Sequence, residues 1–197
     1  MKSEIRFNWI LIFVFSILFG SAQAQTNYEL VASNSSLKVT GTSTLHDWHM
    51  YSNAYTCNVN ALYDEKQDIQ ISSINFWCNA NSIISENSMM DNKAHEALKT
   101  VKFPDINFKS FDADKLVVNG GTIKGSISGQ LEIAGIIQMS ELPFDGEIDT
   151  NGNIIIKGEV KVKMSSYKMK APTALMGSIK TGDEITIHYD FFFKAKS

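Results

Sequence analysis

The chain has 197 residues, with 18 basic and 21 acidic side chains, a net charge of −3, and 44% hydrophobic and 11% aromatic residues. That apolar content over an ordinary domain length supports a packed core and excludes a disordered chain. The balance is mildly acidic and no dense Lys/Arg run occurs, which excludes the basic stripe that nucleic-acid binding needs.

In chain order, Lys2 and Arg6 precede an apolar run, Trp9–Gly20, that ends in Ala22-Gln-Ala24. This is the pattern of a secretory signal peptide with an A-x-A cut. The run is short for a membrane span, and no later stretch approaches the ~18 apolar residues a spanning helix needs. The expected organisation is a leader over 1–24 and one domain over 25–197, periplasmic or secreted and not membrane-spanning in mature form. Residue 25 is glutamine and not cysteine, which argues against a lipid anchor at the new N-terminus. Loss of Lys2, Glu4 and Arg6 takes the 18 basic and 21 acidic residues to 16 and 20, a net charge of −4.

After residue 28 the dominant signal is period-2 alternation, the mark of half-buried strands. The first such stretch, 36–45, turns Leu37, Val39 and Leu45 to one side and runs into Gly41-Thr-Ser-Thr-Leu-His-Asp-Trp-His49. GTSTL lacks the second glycine of a G-x-S-x-G nucleophile elbow and no helix follows it. His46, Asp47 and His49 could join His95 or His188 on a metal. However, an extended strand turns His46 and His49 to opposite faces, and no H-x-H or H-E-x-x-H spacing occurs. The structural reading is favoured: Asp47 caps a turn at a rim and Trp48 packs across the end.

Strands at 55–63 and 69–80 flank the polar turn DEKQD at 64–68. An antiparallel hairpin centred near residue 67 sets Cys57 opposite Cys78 at a spacing a disulfide can bridge, with two unpaired buried thiols as the alternative. Ser88–Thr100 has helical spacing at Met90, Ala94, Ala97 and Leu98, and Pro104 closes the connection. Further strands are expected at 105–111, 122–133, 138–149, 153–164 and 184–194. Turns are expected at Asn119-Gly-Gly121 and Asp149-Thr-Asn-Gly152.

A run of eight or more antiparallel strands must hide its edges, and closure into a barrel does so. The expected fold is all-β, an extended antiparallel eight-stranded barrel with one short helix. Strands of about eleven residues at ~3.4 Å each, tilted by roughly 40°, make a barrel ~28 Å tall, suited to a long thin apolar ligand. Alternation assigns the lining to Val39, Phe76, Phe108, Ile123, Ile127, Leu131, Ile133, Phe144, Ile156, Val160, Val162, Ile187, Tyr189 and Phe191. Such a lining offers little polar chemistry for turnover. Methionine suits both core packing and adaptable apolar surfaces, and Met89, Met90, Met169, Leu175 and Met176 form a candidate lid at the mouth.

Four segments carry a wider likeness: LKVTGTSTLHDW (37–48), MMDNKAHEALKTVKFPDINFKS (89–110), GSISGQLEIAG (125–135) and the close from Lys163 to Ala195. Together they resemble the YceI-like family of bacterial secreted, lipocalin-like proteins, from about residue 28 to the C-terminus. The resemblance implies a barrel interior that binds polyisoprenoid chains, isoprenoid quinones or other amphiphilic lipids, with no established catalysis. It also implies apolar lining at Phe108, Leu131 and Ile133. The chain departs from the family at Ile136-Ile-Gln-Met139, and the cysteine pair lies outside the resemblance.

The expected function is an exported, non-enzymatic binding protein that holds an apolar or amphiphilic small molecule for transport, storage or sequestration. No cofactor is expected other than a bound lipid or quinone as ligand, and no metal or nucleic acid. Monomer and dimer are both open. The alternative is a filled barrel that binds a protein or glycan through its loops, distinguished by an interior full of side chains.

Overall fold

Among the described residues, alternating branched, aromatic and polar residues form thirteen strands, and their pairing closes on itself. The computed structural model describes residues 24–63, 69–110, 114–116 and 118–196. The expected leader, except its last residue, and the polar turn at 64–68 lie outside the described residues.

The strands are β1 (Ala24–Leu30), β2 (Ser36–Ser43), β3 (Trp48–Ser52), β4 (Tyr55–Tyr63), β5 (Ile69–Asn79), β6 (Asp105–Ser110) and β7 (Asp114–Leu116). They continue with β8 (Val118–Asn119), β9 (Thr122–Ile133), β10 (Ile136–Ile148), β11 (Ile154–Lys163), β12 (Thr173–Ala174) and β13 (Ile179–Ala195). The sheet runs β1-β4-β5-β6-β9-β10-β11-β13, and β13 pairs back to β1. Every pairing is antiparallel, so the eight walls close as an up-and-down barrel.

One wall bends. β1 lies along the end of β13 (Leu30↔Phe193), whereas β2, after a single 3-10 turn at Ala32–Asn34, lies along its middle (Leu37↔Tyr189). Ser35 holds this corner. Its hydroxyl donates to the Val31 carbonyl at 2.9 Å and accepts from the Phe192 amide at 2.9 Å. β3 follows β2 back and leads into β4, so 24–63 form one long bent hairpin.

The helix, α1 (Ser88–Leu98), sits between β5 and β6 at one end of the barrel. The Asn87 side chain accepts from the amides of Met89 and Met90, satisfying two of the four donors that a helix start leaves free. Lys99 ends the helix in a left-handed conformation. At the other end, Asp149 accepts from the amides of Asn151 and Asn153, as the turn expected at 149–152 requires.

The outer wall is wet. Lys157–Asp190, Lys161–Glu184, Lys124–Asp145 and His188–Glu159 are cross-strand pairs at 2.9–3.5 Å, all solvent-exposed and so individually weak. The apolar face is turned inward, where the buried residues form one core from Tyr28 to Phe193.

Two expectations are corrected. In the β4–β5 register Cys57 faces Phe76 and Cys78 faces Tyr55, so the cysteines are diagonal neighbours, two positions from direct opposition, and both are free buried thiols. The strands meet at Tyr63 and Ile69, a centre at 66, earlier than direct opposition of the cysteines requires, and the bulge at Ser72 recovers only part of the difference. At the 43–46 turn the cap is Ser43, not Asp47. The Ser43 hydroxyl accepts from the Leu45 and His46 amides and donates to the His46 carbonyl at 2.7 Å.

Candidate functional site: the interior of the barrel

The inward residue of each alternating pair must either fill the lumen or face an open space. Here it does the second: a cavity of about 260 Å³, many times the ~30 Å³ share of one water, runs inside the barrel. Its lining reaches from Ile69, Leu116 and Phe193 at one end to Met90, Leu98, Met169 and Pro172 under the helix and the late loop at the other. Among the described residues Lys93 is the one charged residue on it, next to Met90 and Ala94 on the cavity stripe of α1, with its ammonium 3.6 Å from Glu96.

Thirteen of the fourteen residues assigned to the lining by alternation bound this cavity: Val39, Phe76, Phe108, Ile123, Ile127, Leu131, Ile133, Phe144, Ile156, Val160, Ile187, Tyr189 and Phe191. Val162 is buried in the core without reaching the open space, directly before the 3-10 turn Met164–Tyr167. Val160, Ile187, Val39 and Met50 form one row across β11, β13, β2 and β3. Val160, Ile187 and Val39 are only half-buried because they look onto unfilled lumen.

Glycines keep the lumen open by letting aromatic rings lie flat on the wall. A Cβ at Gly129 would stand 2.5 Å from the Phe108 ring and from the Lys109 carbonyl, and one at Gly158 would stand 2.6 Å from the Tyr189 ring. Trp48 covers Gly41 in the same way and donates its indole N–H to the Thr42 carbonyl at 3.1 Å. Trp48 is thus part of the lining, not only a cover at the end. Tyr189 donates its hydroxyl to the Pro143 carbonyl, which satisfies it against the wall. Burial first, then the charge of Glu159, holds that phenol well above its ordinary range. Phe191 gathers Tyr55, Phe76 and Tyr189 at ring distances of 5.7–6.0 Å in the middle of the tube.

The Cys57 thiol faces this apolar space, and burial pushes it up to about 12. Cys78 is raised by burial too, although hydrogen bonds from Ser52 and Ser82 partly offset this. Neither is a thiolate nucleophile at neutral pH.

The candidate lid divides. Met90 and Met169 face the cavity, whereas Met89, Leu175 and Met176 point to solvent. Ala94, Ala97 and Leu98, the helical stripe, complete the cover.

The histidines do not converge. His46 and His49 are exposed at the rim, His95 bonds the Ile83 carbonyl at 2.9 Å, and His188 sits on the outer wall between Thr40 and Glu159. Among the described residues no group of three or more His, Cys, Asp or Glu is placed to hold a metal ion. Nor is any helix among them long and apolar enough to cross a membrane.

Lining residues at Tyr28 and Met50 were not legible, because β1 and β3 are short and carry little alternation. Ile69 and Ile71 did alternate, and only the closure of the barrel shows that they reach the cavity.

A closed eight-stranded antiparallel barrel around an apolar cavity belongs to the class of barrels whose interior can take one small ligand. The YceI-like domain matches residues 28–193, and the chain belongs to that family. No curated protein sequence matches the chain. Among solved structures, a polyisoprenoid binding domain from Saccharophagus degradans, implicated in plant cell wall breakdown, is similar at TM-score 0.66 and 12% identity. That likeness covers 86% of this chain and 98% of the other. Burkholderia cenocepacia BcnA gives 0.64 and 12%, over 83% and 98%. The Campylobacter jejuni YCEI protein gives 0.51 and 19%, over 72% and 81%. At such identities the likeness is one of fold.

Proposed function

We propose that this protein is an exported, non-enzymatic carrier that holds an apolar chain, a polyisoprenoid, an isoprenoid quinone or another amphiphilic lipid, in the barrel, after removal of the leader 1–24 from a single domain over 25–197. The carrying observation is the apolar cavity that runs between the two ends of the barrel. The polyisoprenoid binding domain of similar fold supports the ligand class. Each buried CH₂ is worth ~0.8 kcal/mol, so ten give about 8 kcal/mol before association and ordering costs, and longer chains give proportionately more. An open interior weighs against the filled-barrel alternative.

The test is mass spectrometry of organic extracts of the purified protein, together with uptake of an apolar fluorophore. A stoichiometric lipid or quinone is expected. No extractable lipid together with no fluorophore uptake refutes the reading.

A further inference from the structure

Among the described residues, the large apolar side chains left in water sit in the half of the barrel that carries the helix. Five of them crown that end: Leu45, Met89, Val101, Leu175 and Met176. Val101 and Met176 are fully exposed, at 102% and 109%.

Hydrogen bonds tie the segments of the crown together. Thr44 binds the Leu45 turn to the late loop, its amide donating to the Lys180 carbonyl at 3.0 Å and its hydroxyl to the Ser178 carbonyl at 3.3 Å. Lys99, two residues before Val101, donates to the Lys168 carbonyl at 3.1 Å. Leu175 and Met176 are held at φ 47° and 54°, a left-handed backbone that large side chains disfavour, with both side chains aimed away from the core. Neither burial nor backbone ease explains two apolar residues there.

The two segments that carry Val101, Leu175 and Met176 are basic, whereas Asp47 follows the Leu45 turn and Glu86, Asp91 and Glu96 lie around and along the helix that carries Met89. Residues 97–104 carry Lys99 and Lys102, and 164–180 carry Lys168, Lys170 and Lys180; neither segment holds an acidic residue. All five lysines are exposed, and none is in an ion pair with another described residue. Apolar tips on segments that carry exposed lysines match an anionic lipid surface, where the tips enter the acyl boundary and the ammonium groups meet the headgroups.

We infer that this rim is a docking surface for an anionic bilayer. The elements that carry it, α1 and the loop 164–178, also cover the cavity through Met90, Leu98 and Met169. Docking therefore sets the covered mouth against the membrane, where an apolar chain passes between bilayer and lumen without crossing water. The purpose of docking rests on the carrier reading; the docking itself does not.

The test is co-sedimentation of the purified protein with vesicles of phosphatidylcholine alone and of phosphatidylcholine mixed with phosphatidylglycerol, at low and high salt. Association with the anionic vesicles is expected, weakened by salt. The double variant Leu175→Asn/Met176→Asn keeps residues that tolerate the left-handed backbone and is expected to bind roughly tenfold more weakly, with fluorophore uptake unchanged. Equal association of variant and parent, or no association with either vesicle, overturns the proposal. A parent dimer that the variant dissociates, without vesicle binding, also overturns it and assigns the face to a second copy. Vesicle association with neither extractable lipid nor fluorophore uptake supports docking and refutes the carrier reading.

Discussion

At the residue scale, the lumen depends on what the wall leaves out. Gly129 is pressed against the Phe108 ring and the Lys109 carbonyl, and the carbonyl cannot move without breaking strand pairing. Gly129→Val is therefore expected to cost about 3 kcal/mol, at the upper end of overpacking effects, read as a lowered midpoint in urea denaturation. Cys57 gives the pH signature. Its native thiol is held at about 12 against an ordinary value of 9.0, because the thiolate would be stranded in apolar surroundings. The unfolded chain ionises first, so stability is whole below pH 9 and declines as pH rises from 9 through about 12. Tyr55, Tyr167 and Tyr189, all raised by burial, act in the same direction. Urea midpoints should fall across that alkaline range, and Cys57→Ala should fall less steeply. Midpoints that do not change with pH would count against a buried Cys57.

At the element scale, α1 is a short helix with an apolar stripe on the cavity and few other supports. Its start depends on Asn87, whose side chain takes the amides of Met89 and Met90. Asn87→Ala should cost about 1 kcal/mol. Hydrogen exchange should accelerate in 88–98 while the strands keep their protection. Uniform acceleration across the barrel would show that the helix does not open on its own.

At the scale of the whole molecule, a sheet that pairs its first strand with its last removes its own edges, and its inner face becomes a compartment. Val160, on β11 opposite Ile187 of β13, faces unfilled space. Val160→Trp should therefore be tolerated by the fold, with circular dichroism and the thermal midpoint near those of the parent. It should block the tube and abolish fluorophore uptake. Retained uptake would mean that the probe binds outside the lumen.

The alternation of the long strands is a property of adjacent residues, and with it the sequence alone determined the barrel class, the inward set on β9, β10, β11 and β13, and the single helix. It could not determine the β4–β5 register, because that depends on where the turn closes; it closes early, and the bulge at Ser72 recovers only part of the offset, so the two cysteines missed one another. Nor could it separate Met90 and Met169 from Met89, Leu175 and Met176, since composition is the same on either side of a cover and only the folded path decides which side faces the cavity. The openness of the lumen was likewise a tertiary matter: it is a sum of side-chain volumes from eight walls, which no single strand contains.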